Sequence, residues 1–193
     1  RIGFRLQEML LWWCWPKLVR EVDGVAPMRI TIDCFGEDFS PPDPDLVPQL
    51  FGFADALRRT RQQLPEDAVG PQRPRKTSGF LFVSERKVGA LSPDRHWRSV
   101  LGETALIPDS MAHIALLRPA ELVVRYEVGT VNEVEGTEWT GVFRCSDDPE
   151  IEQAFALSEP PAHDDWETSQ RLSWVQTRIV KAALNRLKDE RLN

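Results

Sequence analysis

The sequence has few cysteines, and they do not form a covalent or metal-bound framework. Cys14, Cys34 and Cys145 are odd in number and far apart, and none belongs to a Cys-x-x-Cys pair. A disulfide scaffold and a common zinc site are therefore unsupported. Separate thiols are typical of a reducing compartment, so we expect a cytoplasmic location, with no metal and no other cofactor.

The sequence also lacks an apolar run long enough to cross a bilayer. The longest run, residues 9–15, contains three tryptophans. It is far shorter than the roughly 20 residues that a transmembrane helix needs. No basic leader or small-residue cleavage site marks it as a signal peptide, so we expect no membrane span.

Common catalytic motifs are missing as well. The chain contains no G-x-G-x-x-G, Walker A, G-x-S-x-G, H-E-x-x-H or EF-hand loop, so the usual nucleotide-binding and hydrolase templates are unsupported. Enzymes with scattered residues, such as nucleases built from Asp, Glu and Lys, are not excluded. The sequence therefore leaves open whether the protein is an enzyme.

The charge balance is acidic, with a net charge of -6. This disfavours a general nucleic-acid binder. The basic residues are nineteen arginines but only five lysines, a composition that favours a bacterial genome of high GC content.

The N-terminal region is distinct from the rest of the chain. The chain begins with Arg1 rather than methionine, so we expect either a fragment of a longer protein or a true start at Met28. Residues 1–27 are predicted to be a tryptophan-rich helical segment, the end of an upstream region. Residues 28–193 are predicted to be a single domain. The mixed charges beside the tryptophans favour packing over a membrane anchor.

Alternating apolar and polar residues predict strands over residues 28–35, 121–128 and 138–145. Short continuous apolar runs predict two further strands over residues 79–84 and 113–117. A short link predicts that 113–117 and 121–128 are antiparallel neighbours. We also predict that 121–128 and 138–145 pair as a hairpin. Leu122, Val124, Tyr126 and Val128 are then expected on one face.

Helical periodicity predicts helices over residues 46–64, 92–101, 150–159 and 166–187, and over 5–15, where Pro16 is expected to end or kink the segment. In 5–15, Leu6, Leu10 and Trp13 lie on one side. Asp148-Pro149-Glu150 is a helix start signal. The predicted fold is α+β: a mostly antiparallel sheet of five or six strands with three or four helices packed on it. The final helix is expected to cover one sheet face.

Three adjacent residues are the candidate catalytic cluster. His163, Asp164 and Asp165 combine an imidazole with two carboxylates, which suits metal binding or acid–base work. Adjacent residues diverge, however, so such a site would need ligands from elsewhere in the chain. A local explanation competes with it, in which Asp164 or Asp165 caps the last helix.

Two basic features are candidate anion sites. Arg73, Arg75 and Lys76 could contact phosphate, although the lack of neighbouring aromatic residues and the acidic chain around them favour a solvated loop. Arg125 and Arg144 could line a basic groove, or they could form ion pairs on the sheet with Glu127.

The preferred functional hypothesis is a non-catalytic accessory or protein-interaction module of a larger protein. It rests on the missing motifs and on the tryptophan-rich opening. The expected partner is a protein, either an upstream domain of the same chain or another subunit. The alternative is a metal-dependent hydrolase or nuclease that uses His163, Asp164 and Asp165.

Overall fold

The protein has an α+β fold, as predicted. The computed structural model describes residues 2–87, 101–130, 136–162 and 164–192. The helices in these ranges are α1 (Ile2–Leu18), α2 (Pro48–Arg61), α3 (Pro149–Ser158) and α4 (Trp174–Leu192). The strands are β1 (Asp33–Cys34), β2 (Glu37–Asp38), β3 (Ala68–Val69), β4 (Gly79–Lys87), β5 (Ala112–Leu117), β6 (Val123–Val128) and β7 (Thr137–Cys145). β1 and β2 form a small hairpin, and the other five strands form one mixed sheet.

The main sheet has the strand order β3-β4-β7-β5-β6. Three neighbouring pairs are antiparallel, whereas β5 and β7 run parallel. The predicted pairing of β5 with β6 is confirmed. The predicted hairpin of residues 121–128 with 138–145 is wrong, because β5 lies between these two strands.

Burial explains why β7 is central and β6 is an edge. Residues 138–145 of β7 are all buried, which suits a strand with helices on both faces. β6 carries Arg125 and Glu127 and ends at the exposed Val128. Charged side chains are typical of edge strands.

The end of β6 and the start of β7 both lie at the end of the sheet where β5 begins. The Gly129 N–H donates to the Ala112 carbonyl at 2.8 Å, and the Trp139 N–H donates to the Met111 carbonyl at 3.1 Å. These bonds occupy backbone groups at the start of β5. β5 therefore separates β6 from β7, and the predicted hairpin pairing is absent from the described strands.

A bulge in β6 breaks the alternation that the sequence predicts. The register between β5 and β6 shifts at Leu116 and Leu117, and Val124 is the extra residue. An inserted residue moves the following side chains to the other face. Val124 and Tyr126 therefore lie in different cores, and the prediction that they share a face is wrong.

Each face of the main sheet is covered by two helices. α1 and α2 pack on one face, and α3 and α4 pack on the other, so the prediction that the final helix covers a sheet face is confirmed. The first core includes Leu11, Trp12, Trp15, Leu50, Phe53, Leu57, Ala115, Leu117 and Val142. The second includes Ile114, Leu116, Phe143, Phe155, Trp166, Ile179, Ala183 and Leu187. The division of the chain into 1–27 and 28–193 stays a prediction.

Two other elements are predicted, a strand over residues 28–35 and a helix over residues 92–101. The strand predicted over 28–35 is reduced to Asp33–Cys34, because Phe35 and Gly36 adopt φ values of 57° and 84° and reverse the chain into β2. Positive φ at both central residues is the signature of a type I′ hairpin turn. The helix predicted over 92–101 lies outside the described residues except for its last residue, Leu101.

α1 continues through Pro16, where the sequence predicts an end or a kink, so the helix does not end there. A proline cannot donate a hydrogen bond to the carbonyl four residues earlier, here that of Trp12. The Tyr126 hydroxyl supplies the missing donor to the Trp12 carbonyl. It also accepts the Trp15 Nε1–H at 2.9 Å. Burial raises the pKa of Tyr126 well above its ordinary value, so the hydroxyl keeps the proton that it donates.

We expect Tyr126→Phe to lower the free energy of unfolding by about 2–3 kcal/mol, because the Trp12 carbonyl and the Trp15 indole lose a buried partner. Pro16→Ala restores a helical N–H for the Trp12 carbonyl. In that background the loss should shrink by about 1 kcal/mol. Urea unfolding of the wild type, the two single variants and the double variant measures the effect of Tyr126→Phe with and without Pro16. An equal loss of stability in the two backgrounds would show that the Tyr126 hydroxyl does not replace the helical donor.

Candidate functional site

The polar cluster at residues 163–165 is described only in part. His163 lies outside the described residues. Asp164 is exposed, and Asp165 forms an ion pair with Arg125 on β6. Within the described ranges, no group of three or more His, Cys, Asp or Glu side chains could hold a metal ion. The catalytic assignment of His163, Asp164 and Asp165 stays a prediction.

The predicted cap of the last helix by Asp164 or Asp165 is wrong, because α4 begins at Trp174. Ser173 Oγ accepts the Gln176 N–H at 3.3 Å, and Gln176 Oε1 accepts the Ser173 N–H at 2.9 Å. This reciprocal pair is a capping box, which satisfies two backbone donors at the start of a helix. The helix therefore starts later than its apolar pattern predicts.

The basic cluster at residues 73–76 lies on the surface. Arg73 and Arg75 are exposed, whereas Lys76 Nζ lies 2.8 Å from Glu150 Oε2 at the start of α3. The hydrogen bond from Lys76 to Glu150 raises the pKa of Lys76. One of the three cations thus already has an acidic partner. The role of Arg73, Arg75 and Lys76 as an anion site stays a prediction.

Arg125 and Arg144 do not line a common groove, because they lie on opposite faces of the sheet. Arg125 pairs with Glu127 and Asp165 on the face that α3 and α4 cover. Arg144 pairs with Asp147 at 2.7 Å on the other face. For Arg125, the simpler hypothesis of an ion-paired sheet surface that includes Glu127 agrees with the structure.

Two arginines converge on Glu121, in the turn between β5 and β6. Arg61 at the end of α2 donates to its carboxylate through Nε and Nη2, at 2.9 and 2.6 Å. Arg144 Nε lies 3.6 Å from the same carboxylate. Glu121 has a φ of 55°, a left-handed conformation that costs a non-glycine residue about 1–2 kcal/mol. The two ion pairs offset this cost and join α2 to the sheet.

A cavity of about 780 Å³ opens beside Glu121, and Arg20, Arg58 and Arg61 are among its lining residues. Each of these guanidinium groups already has an acidic partner. Arg20 Nε lies 2.7 Å from Asp43 Oδ2, and Arg58 Nη1 lies 3.0 Å from Asp45 Oδ1. An anionic ligand would have to displace these carboxylates. We therefore interpret the arginines as structural.

We expect Glu121→Gln to lower the free energy of unfolding by about 2–4 kcal/mol, because the neutral amide leaves the largely buried guanidinium group of Arg61 without its counter-ion. Arg144 keeps its ion pair with Asp147 but loses the second carboxylate beside it. Glu66→Gln is the matched control. Glu66 also pairs with an arginine, at 2.8 Å, but its side chain is 62% exposed. That substitution should leave stability nearly unchanged. Urea unfolding compares the two variants, and similar effects would contradict the structural role of Glu121.

His113 is a half-buried histidine at the start of β5, next to α1. Its ring lies edge-on to Trp12 at a centroid distance of 6.3 Å, and its Nδ1 accepts the Ala112 N–H at 3.1 Å. Burial lowers the pKa of His113. The neutral imidazole is therefore favoured in the folded protein.

This lowered pKa predicts a loss of stability in mild acid. The unfolded histidine titrates near pH 6.5, above the folded value, so the unfolded state binds the proton first. Stability present above about pH 6.5 is therefore lost as the pH falls through the folded pKa. Urea unfolding between about pH 7 and about pH 5 measures this slope. His113→Gln should flatten it, and an unchanged slope would assign the effect to other groups.

The outward face of α1 carries a row of exposed apolar side chains. Ile2, Leu6, Met9 and Trp13 are 68, 42, 43 and 40% exposed. We call these four residues the outer stripe. Their spacing of four, three and four residues places them on one line along the helix and matches the a/d pattern of a coiled coil. The predicted side of this helix contains Leu6, Leu10 and Trp13, but the exposed row contains Ile2 and Met9 beside Leu6 and Trp13, and Leu10 is only partly exposed.

The outer stripe is not needed to hold α1 on the sheet, because the inner face of the helix is already engaged. Trp12 and Trp15 lie in the core. Glu8 is fully buried, and its Oε1 accepts the N–H groups of Leu106 and Ile107 at 2.6 and 3.1 Å. Two of the three clustered tryptophans are thus internal, and Trp13 is left on the outside.

Comparisons with protein-family models, with curated proteins and with solved structures found no match. None of the helices in the described ranges is long and apolar enough to cross a membrane.

All three cysteines are free, and burial raises the pKa of Cys14 and Cys145. Neither of these two thiols has the lowered pKa of an activated nucleophile. The function must therefore be inferred from the surfaces of this chain.

Proposed function

We propose that the protein is a non-catalytic interaction module whose binding surface is the outer stripe of α1. The observation that carries this proposal is the exposure of four aligned apolar side chains on a helix whose opposite face is already buried. A contiguous exposed apolar row rimmed by polar residues marks a surface that a partner covers. The a/d spacing suits a helix of a partner protein.

The ion pairs among the described residues support a structural rather than a catalytic use of charge. Arg118 Nη2 donates to Glu159 Oε2 at 2.7 Å, and the Trp166 indole lies 3.4 Å from the other oxygen of Glu159. This carboxylate thus joins the turn after β5 to the segment that follows α3. The hydrolase or nuclease alternative depends on His163 and stays a prediction of the sequence.

The proposal includes the cytoplasm of a bacterium as the place where the module acts. The three free thiols support a reducing compartment. The high ratio of arginine to lysine supports the bacterial origin.

Photo-crosslinking tests the binding surface. A benzophenone amino acid would replace Leu6 or Met9, and in a control protein it would replace Leu157. Leu157 on α3 is 38% exposed, close to the 42% of Leu6, but it lies on the helix layer across the sheet. In the native host we expect adducts of defined mass from positions 6 and 9 that position 157 does not give. Mass spectrometry identifies the captured chain, and binding is then measured with the purified component.

Two results of this experiment would contradict the proposal. One is the absence of adducts at positions 6 and 9 under conditions in which the variants are folded. The other is the same set of adducts at position 157, since that would show capture by proximity rather than by the outer stripe.

A further inference from the structure

We propose that the partner of the outer stripe is a second copy of this chain, packed antiparallel across a two-fold axis near residues 7 and 8 of α1. The inference rests on the proposed function and adds the identity of the partner and the geometry of the contact. Three observations carry it: the order of the side chains along the stripe, the charges on α1, and the exposed area.

The outer stripe is complementary to itself when one copy is reversed. In an antiparallel pair centred between residues 7 and 8, Leu6 faces Met9 of the second copy, and Ile2 faces Trp13. A two-fold interface requires such reciprocity, because residue i must contact residue j while j contacts i. A parallel pair would instead place Trp13 against Trp13 and Ile2 against Ile2, which packs the two ends unevenly.

The charges on α1 do not oppose this contact. Two copies of a chain with a net charge of -6 repel each other over most of their surface. The only acid in α1 is Glu8, and it is fully buried. Arg5 Nη1 donates to Glu8 Oε2 at 2.9 Å, so this cation already has an acidic partner. Lys17 lies beyond Trp13, which belongs to the last layer of facing side chains in the antiparallel pair. α1 is therefore a surface on which this repulsion is small.

The exposed area of the stripe predicts a weak dimer. A large apolar or aromatic side chain presents about 150–250 Å² when fully exposed, so the four exposed fractions amount to roughly 400 Å² per copy. Two copies would bury roughly 800 Å², which is less than the 1,200 Å² or more of stable interfaces. We therefore expect reversible association with a Kd on the order of 100 µM.

Sedimentation velocity of the full chain tests the proposal from about 1 µM to about 500 µM. The wild type should shift from monomer to dimer over this range. Leu6→Lys and Met9→Glu should each weaken the dimer at least about 10-fold, since each buries an unpaired charge in the contact. Leu157→Lys is the matched control, with the same change at a similarly exposed leucine across the sheet, and it should dimerise like the wild type.

The double variant Leu6→Lys/Met9→Glu tests the direction of packing. In the antiparallel pair each introduced ammonium faces an introduced carboxylate of the second copy, so dimerisation should recover. In a parallel pair like charges would face each other, and the double variant would stay monomeric. Circular dichroism confirms that each variant is folded before it is compared.

Several results would overturn the inference. A wild type that stays monomeric up to the highest concentration removes the second copy as the partner. Dimers that persist in both single variants place the contact elsewhere, and a folded double variant without recovery removes the antiparallel geometry. If the wild type is monomeric but positions 6 and 9 crosslink to a different protein, the proposed function stands without the dimer. Failure of both experiments removes both proposals.

Discussion

Two buried polar contacts hold α1 on the sheet, and the surface that the protein presents follows from them. Glu8 accepts the backbone N–H groups of the segment before β5. Tyr126 donates to the Trp12 carbonyl and accepts from the Trp15 indole. Directional bonds near the middle and near the C-terminal end of α1 fix the rotation of the helix about its axis, because an unpaired buried carboxylate or carbonyl is costly. The same rotation turns Ile2, Leu6, Met9 and Trp13 outward.

The rest of the architecture is a sheet with helices on both faces. β7 lies at its centre and contacts both cores, while β6 at the edge is interrupted by a bulge and carries charges. Arginines join separate elements: the largely buried Arg61 and Arg144 meet at Glu121, and the partly exposed Arg118 pairs with Glu159. These three guanidinium groups already have acidic partners, so they do not mark an anion site.

Elements with strong local signals could be predicted from the sequence. The Asp148-Pro149-Glu150 signal does start a helix, since Asp148 Oδ1 accepts the Glu150 N–H at 2.8 Å. The helix predicted over 46–64 corresponds to α2, Pro48–Arg61, and the short link after β5 correctly predicts its pairing with β6. Each of these features depends on residues that are close in the chain. The candidate residues at 163–165 and 73–76 have no comparable support, because a site depends on which distant groups meet.

The sequence by itself determined the class of fold and the existence of most helices and strands, whereas the outer stripe of α1 was recognised only from the exposed fractions of its side chains. Only the tertiary structure decided which strands are neighbours, which way α1 faces, and how the helix passes Pro16. The physical reason is that periodicity marks a stripe without saying what lies against it. In α1, two sides are apolar, and the hydrogen bonds of Glu8 and Tyr126, to residues roughly a hundred positions away, select the side that is buried.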